Sequence, residues 1–351
     1  MAYTLSLLDK SPLGTGDTAA QALARSIDLA RKAEGWGYHR YWVAEHHNNS
    51  QLACSSPEVL IAHILAHTSR IRVGSGGVML QHYSPYKVAE NFNLLSAIAP
   101  GRIDLGVGKA PGGLPLSTRA LQGPGDAAHK RPFEDLLAEL SEHLAAQQAP
   151  AIAPADDGQL CDADAPAETQ LRAQPRPPEA PQTFLLGASV ASAELAAQQG
   201  WRFVYAAHIN GAPAEIQKVL GHYRQLTGSP ALLAVSAIVA EDAEDAARQA
   251  QSQQRYRVRV GDGQAVNVGT LRQAEDFVRQ SGGGAHHIEQ REVQVLHGTG
   301  ADVVRALDAL HAQFGIEEFV IDTPISEGAA RLASIEQLAA ARVAAPVAVA
   351  A

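Results

Sequence analysis

One stretch reads Arg40-Tyr41-Trp42-Val43-Ala44-Glu45-His46-His47, an apolar run that ends in one carboxylate and two imidazoles. A continuous apolar run bounded by polar residues is typical of a parallel strand that is covered on both faces. Polar groups at the C-terminal end of such a strand face the crevice where α/β proteins bind ligands. We therefore interpret Glu45 and the two histidines as candidates for a functional site.

The same unit, an apolar strand followed by a helical pattern, recurs along the chain. Further strands are predicted at 3–8, 71–80, 102–107, 183–186, 201–206, 231–240 and 318–321. Strands joined through helices favour parallel pairing with right-handed crossovers. We predict a single α/β domain over residues 1–345, a closed (β/α)8 TIM barrel with insertions. An open doubly wound sheet is the alternative, but its GxGxxG motif does not follow the first strand.

Two insertions interrupt the alternation of strands and helices. Residues 148–181 are rich in Ala, Pro and Asp and are too weakly hydrophobic to bury an ordering core. Residues 241–296 combine polar helical patterns with a Gly-rich stretch, and we predict a helical insertion there. We place both insertions within the barrel domain rather than at a domain boundary.

Charge and composition exclude several classes of protein. The net charge is -9, and the basic residues are scattered, which argues against a nucleic-acid partner. The first residues lack a basic start, and no apolar run is long enough to span a bilayer. We expect a cytoplasmic protein with no membrane partner. Cys54 and Cys161 are the only cysteines and have no CxxC spacing, so we expect free thiols.

The histidine spacing argues against a metal site. Adjacent strand residues point to opposite faces, so His46 and His47 cannot both enter the barrel mouth or chelate one ion. His63 and His67 have the i, i+4 spacing of helical ligands, but they lie on an outer helix. No Glu follows His63 as a metalloprotease requires. We therefore expect no metal.

If the strands close into a barrel, their C-terminal ends share one rim, formed by 45–46, 75–77, 106–109, 188–189 and 206–208. Glycines 74, 76 and 77 lie inside a strand pattern. Two explanations are open: a flat cofactor that lies across the strand end, or a bulge at a barrel corner. Ser189 and Ser192 begin a helix, whose free N–H groups favour an anion. Simple N-capping by Ser189 is the alternative.

Several stretches together resemble the bacterial luciferase-like family of flavin-dependent monooxygenases, in particular its single-chain oxidoreductases. They are YWVAEHH at 41–47, IRVGSGGVML at 71–80, AEN at 89–91, GRIDLGVG at 101–108, and GAS at 187–189 with ELAAQQG at 194–200. The resemblance implies a (β/α)8 barrel that binds FMN, which a separate flavin reductase delivers in reduced form. It also implies reaction with O2 through a flavin hydroperoxide to oxygenate a small organic substrate, and assembly as a homodimer.

The resemblance also implies roles for individual residues. His46 matches the catalytic histidine at the end of the second strand, and Glu45 is placed to orient or support it if it reaches that side. Glu45 could equally pair with an Arg across the barrel. Gly76 and Gly77 match a non-proline cis peptide on which the isoalloxazine rests, and we expect Ser75, which precedes them, to contact the cofactor as well.

The phosphate of FMN has its own matching positions. Ser189 and Ser192 match residues that hold the phosphate, and Lys109 matches a cationic contact that is usually Arg. Lysine keeps the charge but loses the forked geometry of Arg. Gly108 stands where luciferase carries a reactive cysteine, so neither light emission nor a long-chain aldehyde substrate is implied. Two other functions stay open: an F420-dependent hydride-transfer oxidoreductase of the same barrel, and a non-catalytic flavin-binding relative.

Overall fold

The computed structural model describes residues 2–123, 131–145, 171–263 and 265–344. The strands are β1 (Thr4–Asp9), β2 (Arg40–Val43), β3 (Arg72–Met79), β4 (Ile103–Gly108), β5 (Gln182–Gly187), β6 (Arg202–Ala206), β7 (Leu232–Val239), β8 (Arg255–Val260), β9 (Val266–Val268), β10 (His286–Arg291), β11 (Val295–Gly298) and β12 (Glu318–Asp322). The helices are α1 (Ala19–Gly35), α2 (Pro57–Leu65), α3 (Pro85–Ile98), α4 (Pro115–Gln122), α5 (Phe133–Ala145), α6 (Val190–Gln198), α7 (Pro213–Thr227), α8 (Ala243–Gln251), α9 (Leu271–Gln280), α10 (Gly300–Phe314) and α11 (Gly328–Ala344).

Strands β1 to β7 and β12 form a closed parallel barrel. Each of β1 to β6 pairs with the next strand in sequence, and β12 lies between β7 and β1. Thr4 of β1 lies opposite Glu318 of β12, and Val204 of β6 lies opposite Leu232 of β7, so the ring has no open edge. The predicted (β/α)8 TIM barrel is therefore confirmed, and the alternative of an open doubly wound sheet is wrong.

Both faces of the barrel strands are buried, which explains their continuous apolar sequence. Side chains such as Leu8, Trp42 and Phe184 fill the inside of the barrel. Neighbours that point outwards, such as Leu7 and Tyr41, pack against the surrounding helices. The ring of Trp42 meets that of Phe184 edge to face at 4.8 Å, so the barrel is filled below its mouth.

Local signals set the helix boundaries. The Thr18 hydroxyl accepts a hydrogen bond from the Gln21 N–H, while the Gln21 side chain accepts one from the Thr18 N–H, which forms a capping box before α1. Pro57 and Pro85 occupy the first turns of α2 and α3, where a missing N–H costs nothing. These helices return the chain to the N-terminal end of the next strand.

A buried ion network closes the N-terminal end of the barrel. Arg40 donates from Nη1 to both carboxylate oxygens of Asp104 at 2.9 Å and from Nε to Glu318 at 2.7 Å. Trp42 Nε1 also donates to Asp104, at 2.9 Å. Because every one of these charges is paired, the network suits a structural role, and the C-terminal rim is the end left for a ligand.

The segment 241–296 differs from the helical insertion that we predicted. It holds helices α8 and α9, but also an antiparallel sheet in the order β10-β8-β9. Strand β11 pairs with the second half of β7, beyond the point where β6 stops. The sequence of β8, Arg-Tyr-Arg-Val-Arg-Val, alternates with the period of a half-buried strand.

Most of the predicted 148–181 insertion lies outside the described residues, and so does Cys161. Its last part is described and packs on the barrel helices, where Asn93 Nδ2 donates to the Ala173 oxygen at 2.9 Å. Cys54 is buried as a free thiol. None of the helices in the described ranges has both the length and the apolar character that a membrane crossing requires.

Candidate active site

The C-terminal rim of the barrel carries a compact group of polar side chains centred on Asp322. Lys10 follows β1 and places Nζ 2.6 Å from Asp322 Oδ2, at the end of β12. Ser236 of β7 donates to the same oxygen at 3.3 Å. Burial alone would raise the pKa of Asp322, but the Lys10 ammonium outweighs it and lowers that pKa to about 2. The carboxylate is therefore ionised at neutral pH.

His46, the predicted catalytic histidine, lies beside this ion pair. Burial and the Lys10 ammonium lower the pKa of His46 to about 4, against the opposing effect of Asp322. The imidazole is thus neutral at pH 7. Its Nδ1 is buried and has no hydrogen-bond partner among the described residues, whereas its backbone N–H donates to the Cys54 oxygen at 3.0 Å. A neutral ring with an unused nitrogen can exchange a hydrogen bond or a proton with a ligand.

His208, which follows β6, is a second imidazole of the same kind. Its Nδ1 is also buried without a partner in the described part of the chain. Burial and the Lys10 ammonium lower the pKa of His208 to about 4. We placed His208 on the rim from sequence but gave it no role. Lys10 and Asp322 were not predicted as site residues, although both stand where a barrel strand ends.

Glu45 does not reach His46. Its Oε1 accepts hydrogen bonds from His47 Nε2 at 2.5 Å and from the Tyr83 hydroxyl at 2.8 Å, and its Oε2 accepts from the Met79 N–H at 3.0 Å. This corrects our expectation that Glu45 supports His46 or pairs with an Arg. Glu45 and His47 therefore bond to each other, whereas His46 lies beside Lys10 and Asp322.

The glycine-rich end of β3 packs directly against β4. The peptide bond between Gly76 and Gly77 is cis, as the family resemblance implied. A Cβ on Gly77 would lie 2.7 Å from the Gly106 oxygen, and one on Gly76 would lie 2.6 Å from Leu8 Cδ1. The pairing register shifts between Gly76 and Val78. Close packing and a bulge therefore account for these glycines, whether or not a cofactor lies above them.

Ser75 is used within the sheet. Its hydroxyl donates to the Gly106 oxygen at 2.8 Å and accepts from the Gly106 N–H at 3.0 Å. The side chain is fully buried. The predicted contact between Ser75 and the cofactor therefore does not match the geometry of its hydroxyl, which joins β3 to β4.

Ser189 and Ser192 form a hydroxyl pair at the start of α6. Their Oγ atoms lie 2.9 Å apart, and Ser189 Oγ accepts from the Ser192 N–H at 3.2 Å, so Ser189 is also the N-cap. This geometry is compatible with both interpretations, an anion site at the start of α6 and simple N-capping by Ser189. The pair remains open to solvent at a helix N-terminus, which favours a bound anion.

Lys109 follows β4, which pairs with β5. Gly108, the last residue of β4, lies opposite Leu186 of β5. Its ammonium pairs with Glu134 at 2.9 Å, and both side chains are exposed. Lys109 and Ser189 therefore follow neighbouring strands on the same rim as His46, as parallel strands require. A phosphate held there would have to share Lys109 with Glu134.

The histidines considered as metal ligands lie elsewhere. His63 on α2 and His67 in the turn that follows it are exposed, with their rings 4.9 Å apart. No group of three or more His, Cys, Asp or Glu side chains in the described ranges is arranged to hold a metal ion.

Comparison with known proteins agrees with this geometry. The sequence profile of the luciferase-like monooxygenases matches residues 3–342. The N-acetyl-S-alkylcysteine monooxygenase of Bacillus subtilis (strain 168) is 41% identical over 348 residues, which cover 97% of this chain and 98% of that protein.

Solved structures with the same fold include apo-MsnO8, with a TM-score of 0.72 and 32% identity over 98% of this chain and 100% of that one. The oxygenating constituent of 3,6-diketocamphane monooxygenase from Pseudomonas putida, a type II Baeyer-Villiger monooxygenase in complex with FMN, has a TM-score of 0.68. It is 17% identical over 97% of each chain, so its likeness concerns the fold alone.

Proposed function

This chain belongs to the luciferase-like monooxygenase family, and from that premise we propose that it uses reduced FMN and O2 to oxygenate a small organic substrate. The observation that carries the proposal is the common rim. Two buried neutral imidazoles with unused Nδ1 atoms, His46 and His208, share that rim with the hydroxyl pair at the start of α6. The rim thus offers an anion site and a proton-handling site on one side of the barrel.

The residues present fit FMN. Ser189 and Ser192 would accept or donate hydrogen bonds to the phosphate, and Lys109 would supply a positive charge. Gly76 and Gly77 would present no side chain to the ring system. Bound reduced FMN supplies the electrons with which O2 is activated.

His46 would be the proton-handling residue. Its low pKa keeps the ring neutral, so it can accept a proton from the substrate or hold a hydrogen bond without first losing one. The Lys10–Asp322 pair would position the ring electrostatically and keep bulk water from its buried face.

The relative from Bacillus subtilis gives the first substrate class to test. Its name assigns it N-acetyl-S-alkylcysteine, and its identity with this chain extends over almost the whole length of both proteins. We therefore propose an S-alkylated, N-acetylated cysteine as a substrate of this enzyme.

Two partners belong to the same proposal. A flavin reductase would deliver reduced FMN, and a second copy of the chain would form a homodimer. Exposed apolar side chains on two neighbouring helices, Val59 of α2 and Leu94 and Ile98 of α3, offer a surface for that contact.

The decisive experiment supplies the protein with FMN, a flavin reductase, NADH, ¹⁸O2 and N-acetyl-S-methylcysteine. We expect the product to contain one oxygen atom that comes from the ¹⁸O2. The His46→Ala variant should bind FMN normally but form this product about 10²–10⁴ times more slowly, the usual contribution of an acid-base residue. His287→Ala removes an exposed histidine of β10 and serves as the matched control.

The rival functions give different results in the same assay. An F420-dependent enzyme would bind F420 more tightly than FMN when the apo protein is titrated with both. A non-catalytic relative would bind FMN and form no product with any reductase. Unchanged coupled turnover in His46→Ala would remove this residue from the mechanism.

A further inference from the structure

The antiparallel sheet of the insertion has one apolar face and one basic face. Side chains alternate along extended strands, so every second residue of a strand points to the same side. Tyr256 and Val258 of β8 are buried in a small core beneath α9. The opposite face of β8 carries only arginines, which are Arg255, Arg257 and Arg259.

The neighbouring strand does not neutralise these arginines. In the pairing of β10 with β8, Glu289 lies opposite Arg257, and Arg291 lies opposite Arg255. The arginine face thus consists of Arg255, Arg257, Arg259 and Arg291. Four guanidinium groups share it with one carboxylate, which leaves an excess of three positive charges. The two acidic residues of α9 belong to the helix on the other side of the sheet.

The arginine face begins at the C-terminal rim of the barrel. Arg255, which is half-buried, donates from Nη1 to the main-chain oxygen of His208, just after β6. Arg291 lines the same cavity as His208. Strand β6 pairs with β5, and the end of β5 leads into the hydroxyl pair at the start of α6. The arginine face therefore extends from solvent to the strand next to the candidate phosphate site.

A second contact holds the insertion over this part of the rim. Gln280, the last residue of α9, accepts at Oε1 from the Leu116 N–H at 3.0 Å. Its main-chain oxygen accepts from Arg119 Nη1 at 3.1 Å. Both donors belong to α4, which follows β4. The insertion thus contacts the barrel after β4 and after β6, on either side of the strand that ends in the hydroxyl pair.

The charge of FMN complements this surface. A phosphate monoester carries about 1.5 to 2 negative charges at pH 7. The protein has a net charge of -9, so its average field repels such an anion. A local patch of the opposite sign raises the concentration of the anion nearby and increases its association rate. Arg257, Arg259 and Arg291 are exposed, so their charges are available to an anion that approaches from solvent.

We propose that the arginine face attracts the phosphate of FMN from solution and directs it to the hydroxyl pair at the start of α6. This inference rests on the proposed use of FMN and adds the route by which FMN reaches its site. A charge at the edge of a binding site changes the association rate and its salt dependence, whereas a contact residue changes the dissociation rate. The arginine face therefore controls how fast FMN binds, and the hydroxyl pair controls how long it stays.

Stopped-flow fluorescence with oxidised FMN and the flavin-free protein measures these two rates separately. We expect the double variant Arg257→Gln, Arg259→Gln to lower kon about 3- to 10-fold at about 20 mM salt, and to change koff by less than about 1.5-fold. At about 0.5 M salt the charges are screened, so the variant and the wild type should bind FMN at the same rate. Ser189→Ala should instead raise koff.

Glu289→Gln tests the same surface in the opposite direction. It removes the one carboxylate of the arginine face and should raise kon by up to about twofold at low salt. Structural damage would not produce such a gain.

The matched control is the double variant Arg31→Gln, Arg70→Gln, which removes the same charge. Both residues are exposed; Arg31 lies near the end of α1 and Arg70 just before β3, so they belong to the N-terminal end of the barrel. This control should change kon by less than about 1.5-fold, because the distance to the opposite rim exceeds the screening length. Thermal unfolding establishes that each variant is folded.

An unchanged kon at low salt in the folded Arg257→Gln, Arg259→Gln variant overturns the inference. So does an equal decrease in the control, a decrease that persists at about 0.5 M salt, or a change confined to koff. A wild type that binds no FMN would remove the proposed function together with this inference. Saturable FMN binding at a rate independent of the arginine face would remove this inference alone, and absent ¹⁸O incorporation with normal steering would remove only the proposed oxygenation.

Discussion

Replacing Asp322 with Asn should destabilise the protein by about 3 kcal/mol at pH 7. The side chain is 2% exposed, and its pKa falls from 3.8 to about 2 on folding, which corresponds to roughly 2 kcal/mol of stabilisation. The variant also leaves Lys10 without a partner. Breaking a buried pair costs about 3–5 kcal/mol, and the 26% exposure of the Lys10 side chain places this case near the lower end.

The sign of the pH dependence follows from the direction of the pKa shift. A carboxyl whose pKa is lower in the folded state stabilises the fold fully above its unfolded value and loses that effect as the pH falls through the folded value. The contribution of Asp322 should therefore be complete above about pH 3.8 and should disappear towards pH 2. Wild type and Asp322→Asn should differ less and less over that interval.

Urea unfolding followed by tryptophan fluorescence measures both effects, with one series at pH 7 and a second between pH 4 and pH 2. Asp245→Asn is the control, because it removes a carboxylate from an exposed pair with Arg248 and should change stability by less than about 1 kcal/mol. The double variant Lys10→Met, Asp322→Leu removes both charges and should recover part of the loss. A loss below about 1 kcal/mol in Asp322→Asn, or one independent of pH, would refute the reasoning.

Three further changes test other parts of the site. Ser189→Ala should weaken FMN binding by roughly 1.5–3 kcal/mol in a fluorescence titration, whereas Thr270→Ala, which removes the equivalent cap of α9, should leave FMN affinity unchanged. Glu134→Gln should release Lys109 and tighten FMN binding several-fold at low salt, and an effect that persists at 1 M salt would contradict this exposed electrostatic origin. Burial raises the pKa of Cys54 to about 12, so mass spectrometry of folded protein treated with iodoacetamide at pH 8 should show this thiol unmodified; rapid labelling would mean that the site opens.

The barrel was predictable because its strands are buried on both faces. Tyr41 and Trp42 are adjacent and point to opposite sides, yet both lie in hydrophobic cores, so the sequence shows an uninterrupted apolar run. Each such run was followed by a helical pattern, which leaves few topologies other than a closed parallel ring. Neither packing detail nor a relative was needed for that step.

The antiparallel sheet of the insertion was missed for a different reason. Its strand β8 has the alternation of a half-buried strand, but its solvent-facing positions are all Arg and resemble the polar face of a helix. A short strand gains its stability from cross-strand partners, here β9 and β10, which the sequence of β8 alone does not identify.

The candidate site was predictable in position more than in detail. The position of His46 after a strand predicts that it lies on the rim. It does not predict where the neighbouring Glu45 side chain points. The Glu45 carboxylate accepts hydrogen bonds from His47 and Tyr83 and does not contact His46. The pairing of Lys10 with Asp322 joins the first and last strands of the barrel. No sequence spacing reports such a contact, because it exists only after the ring has closed.

Ring closure also imposes an order on synthesis. Strand β1 leaves the ribosome early, but its second neighbour, β12, follows only after all the other strands and the insertion. Until then β1 keeps an unpaired edge that could recruit another nascent chain. Pairing with β12 thus covers the free edge of β1. If translation stalled before β12 was made, the barrel would stay open at β1, and the incomplete chain would be prone to aggregate.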